Sequence, residues 1–390
     1  MRFQSIISLG LLASGVSSSA LPRRDYPVKL NDKGYYDHLD PANFTVATVV
    51  KSPFEGAIPV DLFNEPQSLP QKTYNIDIAT KRAVSFIHEA AADGVGMLVF
   101  SEVWFPGYPF WLMTHAPNVE QTQDYINNSI VEGDANWKAL VKAVKTAGIY
   151  VAIGASERIG DALHMSQVLW SPEGEKLIHR QKLRASNYER NLWSDGSIDG
   201  FKVVSTPYGR IGMLECWEHL HAQMFFPMQA QLEDIHIAMY PNIGDPWEIE
   251  DPAKITGPFA SSRVNMAGVH VYSATAKVWS FVAGTGGSLV LNRFGAIQSF
   301  MAPPKKRAMG GPSYHAYSLN TTGFRNRTYE VNNQFGYGSL LEMLQSYPSY
   351  IPKDRGTWIE KKVVTIKQLL KRAAKGPSYF QGDDTAEGLI

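Results

Sequence analysis

Twice in the first half of the chain, a segment with helical spacing runs directly into a short apolar stretch. Residues 75–92 place Ile76, Ala79, Ala83, Phe86, Ile87 and Ala90 on one face, Gly94 follows as a stop, and residues 95–100 read as a buried strand. Residues 136–147 repeat this with Trp137, Leu140, Val141 and Val144, then Gly148, then a strand over 149–154. Two hairpin-like pairs come next: 166–170 with 176–181 about Ser171-Pro172-Glu173-Gly174, and 201–205 with 210–214 about Pro207-Tyr208-Gly209. Further strands are expected at 45–50, 235–240, 269–274 and 287–292, and a helix from His219 onward. Alternating helices and strands with hairpins mixed in call for an α/β domain with helices outside a strand-rich core. No internal repeat or linker divides it.

Composition excludes several function classes. Of 390 residues, 44% are apolar and 19% charged, which suits a globular core. Lys+Arg and Asp+Glu both number 37, so no net charge draws the chain to nucleic acid or an acidic membrane. Met1-Arg2, the apolar run 6–16 and Ser17-Ser18-Ser19-Ala20 have the pattern of a secretory signal peptide, too short to span a bilayer. Residues 1–20 are therefore expected to be removed. Residues 21–43 are a lead-in or propeptide with a dibasic pair, Arg23-Arg24. Residues 44–303 form the catalytic domain and 304–390 an extension. Sequons at Asn43, Asn127, Asn320 and Asn326 fit a secreted glycoprotein. A single cysteine excludes an internal disulfide framework.

The residues that carry chemistry stand at strand ends. Glu102 follows the strand 95–100, in Ser101-Glu102-Val103-Trp104-Phe105-Pro106-Gly107-Tyr108-Pro109. Burial there would raise its pKa and make it a general base. Lys182 ends the strand 176–181, in His179-Arg180-Gln181-Lys182-Leu183, where an ammonium can stabilise an anion. Cys216 follows the strand 210–214, in Glu215-Cys216-Trp217-Glu218-His219. Backbone N–H groups opening a helix there would lower the thiol's pKa. A base, a cation and a thiol are what attack on a carbon–nitrogen bond requires.

These three motifs, in order and spacing, resemble the Glu-Lys-Cys signature of the nitrilase superfamily over roughly residues 44–300. The Cys-Trp-Glu-His form is similar to the nitrilase branch, here as a secreted, fungal-like member. The resemblance implies an α-β-β-α sandwich of two six-stranded sheets and a homodimer unit that can extend into larger spirals. It implies hydrolysis of a small-molecule nitrile to acid and ammonia with no metal or organic cofactor. It places the family's second glutamate at Glu189, seven positions beyond Lys182, orienting Lys182 or the hydrolytic water. Trp217, Glu218 and His219, with Trp104 and Tyr108 from the aromatic run, are expected around the substrate. That run suggests an aryl or arylaliphatic nitrile. Amidase or nitrile/cyanide hydratase chemistry is the nearest alternative, and a non-catalytic secreted binding protein is one of another class. Departures fall at Arg184-Ala185-Ser186, at Glu215 and at Leu220-His221-Ala222-Gln223, and bear on substrate range. A helix expected over 358–374 carries Val363, Val364, Ile366, Leu369 and Leu370 as a stripe that covers a neighbour or a partner subunit.

Overall fold

The protein is described by a computed structural model over residues 39–53, 74–113, 118–247, 261–302, 311–324 and 361–375, with isolated positions between 342 and 350. Twelve strands occur among these residues. They are β1 (Phe44–Val49), β2 (Met97–Val99), β3 (Tyr150–Ile159), β4 (Ala162–Trp170), β5 (Lys176–Gln181) and β6 (Val204–Thr206), then β7 (Gly209–Glu215), β8 (Ile235–Asn242), β9 (Trp279–Thr285), β10 (Ser288–Leu291), β11 (Ile297–Met301) and β12 (Tyr314–Leu319). They form two six-stranded sheets, ordered β12-β1-β2-β3-β4-β5 and β11-β10-β9-β8-β7-β6. Each has a parallel centre, β1-β2-β3 and β7-β8-β9.

Alternation along β2 shows how the layers are built. Met97 and Val99 point between the sheets and pack with Met213, Ile237 and Phe281, whereas Leu98 points outward. Outside the first sheet lie α1 (Ile76–Ala92) and α3 (Ala135–Ala147), whose Ala83, Ile87, Leu140 and Val144 join Leu98 and Val151. Asn75 caps α1 by accepting from Ile78 N, and Gly148 ends α3 at φ 64°, a conformation that costs glycine least. Outside the second sheet lies α5 (Ser262–Ala276), with Met266 and Val269 on Ala238 and Val282. The helices α2 (Val119–Asn128) and α4 (Ala222–Gln229) flank the site described below. This is the expected α-β-β-α sandwich.

Three expectations need correction. Residues 269–274 are not a strand but lie inside α5. Val269 and Val271 alternate as strand residues do, but Ser261 caps a helix by accepting from Val264 N. The face Met266, Val269, Tyr272, Ser273, Ala276 is then buried with helical period. The strand of this region is β9, whose Phe281 and Ala283 face inward and Val282 outward. Second, the domain does not stop at 303: β12 supplies an edge of the first sheet, pairing antiparallel with β1 from Phe44↔Leu319 to Val49↔Tyr314. Third, the last helix, α6 (Ile366–Lys375), is shorter than expected, and 361–364 lie outside it in irregular chain; residues 358–360 lie outside the described residues. Its stripe covers its own chain. Val364 and Leu369 are buried with Val103, Tyr125 and Trp193, and Lys362 N and Val364 N donate to Asp195 Oδ2 and Ser194 Oγ at 2.8 Å each.

Candidate active site

Strand geometry brings the sequence-selected residues together. Past β2 the chain crosses toward the second sheet, where Glu102 N donates to Tyr240 O at 3.2 Å. It passes so close to β3 that a Cβ on Gly154 would lie 2.4 Å from Ser101 O, which explains the glycine. Lys182, just past β5, donates its N–H to Met165 O at 2.8 Å. Its Nζ lies 2.7 Å from Glu102 Oε1 and 2.8 Å from Glu189 Oε2. Glu189 sits on the single helical turn Asn187–Asn191; its Oε2 also accepts from Ser186 N, and its Oε1 from the Tyr108 hydroxyl at 2.8 Å. One ammonium is thus gripped by two carboxylates in a dry space.

Cys216 closes β7 and opens the short turn Cys216–Leu220 with φ 38°, a left-handed conformation that non-glycine residues rarely adopt. The expectation of a lowered thiol pKa is overturned. Burial, together with the negative charge of the nearby Glu102 carboxylate, holds Cys216 well above the ordinary range, and Lys182 only partly opposes this. A turn of five residues offers little dipole against complete desolvation. Glu102 is raised as expected, chiefly by burial; Lys182 lowers it, while Glu189 and Glu215 raise it again. Its Oε2 has no hydrogen-bond partner and is the carboxylate oxygen left to take the thiol proton. Lys182 stays charged, because the two carboxylates outweigh its desolvation.

A second buried pair joins the Lys182 strand to the Cys216 turn. Arg180 donates to Glu218 Oε1 and to Gln167 Oε1, both at 2.6 Å. Glu218 Oε1 also accepts from Leu183 N and Oε2 from Glu215 N, while Gln167 Nε2 donates to Leu214 O. Arg180 holds the Glu218 carboxyl below its usual range despite burial. Glu215, the departure beside the nucleophile, is fully buried with neither oxygen hydrogen-bonded, and burial pushes its carboxyl up to about 8.

The expected substrate contacts divide. Trp217 and Glu218 line a cavity of about 260 Å³, whose walls do not include Cys216, Glu102 or Lys182 themselves. Arg184, Ser186 and Asn187 form one wall, and His221 and Met224 stand with Trp217 on the other, so two stretches that depart from the family pattern meet here. Tyr108 reaches Glu189. Trp104 does not face the site: it packs with Phe86, Phe100 and Phe105, and its Nε1 donates to Lys51 O. His219 also points away, bonded to Cys216 O and His236. Arg180, Gln167, Glu233 and His236 went unassigned from sequence. A signal existed for His236, a lone polar residue within an otherwise buried apolar strand, Ile235-His236-Ile237-Ala238. Of the sequons, Asn43, Asn127 and Asn320 are exposed, and Asn326 lies outside the described residues.

The family model for carbon-nitrogen hydrolases matches residues 67–290, more than half of the chain. The chain belongs to the carbon-nitrogen hydrolase family, the nitrilase superfamily of the resemblance. It is 39% identical over 184 residues to a nitrilase of Talaromyces marneffei, covering 46% of this chain and 56% of that one. It is 33% identical over 215 residues to an arylacetone-specific nitrilase of Alcaligenes faecalis, covering 54% and 58%. A cyanide hydratase of Botryotinia fuckeliana is 34% identical over 171 residues, covering 43% and 46%. The chain thus spans about half the length of the curated relatives it matches. A solved amidase of the nitrilase superfamily from Nesterenkonia AN1 shares the fold, with a TM-score of 0.51 at 12% identity, covering 79% of this chain and 98% of that one.

Proposed function

We propose that the protein is a nitrilase, converting a nitrile and two waters to a carboxylic acid and ammonia. The observation that carries this is the Lys182 ammonium held between the buried Glu102 and Glu189 carboxylates, with the buried Cys216 thiol electrostatically coupled to the same group. Glu102 takes the thiol proton as sulfur bonds to the nitrile carbon, then passes it to nitrogen, leaving a thioimidate. Lys182 and the N–H of Trp217 stabilise the developing anion, each such contact being worth about 3 kcal/mol of barrier. Water adds with Glu102 as base, the C–N bond breaks, and ammonia departs. A second water, deprotonated by Glu102, opens the thioester and returns the proton to sulfur. A thiol kept neutral at rest suits this order, since proton removal and attack are coupled through one carboxylate.

A nitrile needs no leaving-group protonation before attack, whereas an amide does. Its substituent would lie in the cavity against Trp217 and Met224, with Arg184, Asn187 and His221 available to polar groups on an aryl ring. The test is kcat/KM for the nitrile and amide of one aromatic compound, with acid and amide quantified. Acid as the main nitrile product is expected, with substrate-derived mass on the Cys216 peptide. Faster amide turnover would make the protein an amidase, and amide as sole nitrile product a hydratase.

Export is proposed on the N-terminal pattern, with the exposed Asn43, Asn127 and Asn320 as acceptors for glycan. N-terminal sequencing of protein from the medium should find a start after Ala20 or Arg24; protein found only inside cells with Met1 intact would refute it. The homodimer rests on the resemblance, since the α6 stripe is used within the chain, and light scattering decides it.

A further inference from the structure

On the side of Cys216 away from Lys182 lies a file of buried polar groups that this reaction does not use. His219 Nδ1 is 2.7 Å from the Cys216 carbonyl oxygen, His219 Nε2 is 2.8 Å from His236 Nε2, and His236 Nδ1 is 2.9 Å from Glu233 Oε1. Tyr272 donates its hydroxyl to Glu233 Oε2. All four side chains are essentially inaccessible to solvent. Two glycines make room for them: a Cβ on Gly212 would fall 2.3 Å from Glu233 Oε1, and one on Gly268 would fall 2.1 Å from His219 O.

Proton counting fixes the direction of this file. Each of its three contacts needs one proton between the heavy atoms. The Cys216 carbonyl can only accept, so His219 carries a proton on Nδ1. Two neutral imidazoles supply two protons, and an ionised Glu233 would supply none. One contact would then set lone pair against lone pair. The third proton lies on Glu233 or turns one imidazole into a cation. Burial, with the Arg180 guanidinium, holds His236 down at about 3, and burial with His236 does the same to His219, so the imidazoles are neutral. Glu233 is left as the donor, with Oε1–H aimed at His236 and Oε2 accepting from Tyr272.

We propose that Glu233 is a protonated carboxylic acid, and that Glu233, His236 and His219 form a one-way hydrogen-bond chain that positions the nucleophile by holding the Cys216 carbonyl. The proposal rests on the reading of Cys216 as nucleophile. The chain ends on the one residue of the site turn that must stay at positive φ to serve. Released from His219, the Cys216 peptide plane can rotate toward ordinary backbone and carry the sulfur away from Glu102. Glu233 is a positioning residue; it touches neither substrate nor thiol.

Glu233→Gln keeps the direction of the chain, its amide N–H donating to His236 and its carbonyl accepting from Tyr272. Glu233→Leu has similar volume and no donor. Nitrile turnover is expected to keep kcat within about twofold in Glu233→Gln, and to lose roughly ten- to a hundredfold in kcat at unchanged KM in Glu233→Leu. Of the infrared bands of protonated carboxylic acids, one present in the wild type should be missing in Glu233→Gln, while that of Glu215 remains. Nitrogen-15 shifts should report His219 as the neutral Nδ1–H tautomer and His236 as the neutral Nε2–H tautomer in both. A Glu233→Gln enzyme as impaired as Glu233→Leu, no infrared difference, or an imidazolium at either histidine would overturn the proposal. If the wild type hydrolyses no nitrile or amide, the functional reading fails, while the spectra still decide the Glu233 proton without needing Glu233→Leu to fold.

Discussion

On the Lys182 side of Cys216, one ammonium and two carboxylates share a space closed to water. On the His219 side, two imidazoles, a carboxyl and a phenol of equal burial hold one another by directed hydrogen bonds with no formal charge. The first cluster must carry charge, since it removes a proton from sulfur and stabilises an anion. Its desolvation is offset only while all three members are present. The second has only to hold a backbone carbonyl still. Neutral donors and acceptors do that at lower desolvation cost, provided each is satisfied. Within one buried site, charge is confined to the side where the chemistry develops it.

The most damaging way to break this comparison is Lys182→Met. Turnover should vanish, and stability should fall by about 3–5 kcal/mol at neutral pH, because Glu102 and Glu189 are left buried without their cation. The loss depends on pH with a definite sign. Without the ammonium, the folded state holds a proton on Glu102 that the unfolded chain has already released, so the variant weakens further as pH rises above the ordinary carboxylate range. Urea midpoints at pH 5 and pH 8 measure it; equal losses at both would mean that the pair is not buried as described. Cys216→Ala separates function from stability in the same cluster. Hydrolysis should be undetectable, while the urea midpoint moves by less than about 1 kcal/mol, since only a neutral thiol is lost. A large destabilisation would show that sulfur, not the His219 contact, holds the strained turn.

How far the two clusters could be read from the chain differs for a physical reason. Glu102, Lys182 and Cys216 each follow a strand that periodicity reveals, and Glu189 follows Lys182 at the spacing of the family. The His219–His236 contact bridges 17 residues, from the turn after β7 to the parallel strand β8. It depends on register, which no local pattern encodes. Trp104 was misplaced because an aromatic beside a catalytic residue looks the same whether it faces substrate or core; the turn at Val103, φ 47°, sends it inward. The thiol's state was misread because motif position reveals the nearby N–H groups but not the completeness of desolvation. The strand–helix error at 269–274 has the same root. Val269 and Val271 fit the period of a strand and Met266, Val269 and Tyr272 that of a helix, and the Ser261 cap with the packing of α5 decides between them.

Tyr108→Phe tests the outer edge of the charged cluster with a smaller expected effect. The phenol donates to Glu189 Oε1, while Glu189 Oε2 keeps Lys182 and Ser186 N. Losing one hydrogen bond to a charged acceptor should cost about 1.5–2 kcal/mol, read as roughly a tenfold drop in kcat/KM. No change would place Tyr108 among packing residues rather than in the site.

Glu215 lies between the clusters and shows where the division of charge is weakest. It belongs to the strand of Cys216, neither oxygen is hydrogen-bonded, and burial pushes its carboxyl up to about 8, with Lys182 and Arg180 holding it from going higher. A raised folded-state pKa means that the folded protein keeps a proton that the unfolded chain loses near the ordinary carboxylate value. The stability tied to that proton is complete below the unfolded pKa and drains away as pH rises toward 8. One such group contributes a slope of up to about 1.4 kcal/mol per pH unit. Glu215→Gln abolishes this titration and leaves the Lys182 cluster in place, so its urea stability should fall less steeply than that of the wild type between pH 5 and pH 8. Between pH 5 and pH 8 the variant should gain roughly 3–4 kcal/mol relative to the wild type. Parallel stability curves would mean that Glu215 is ionised in the folded protein, and that the charged cluster extends past Lys182 into the strand of the nucleophile itself.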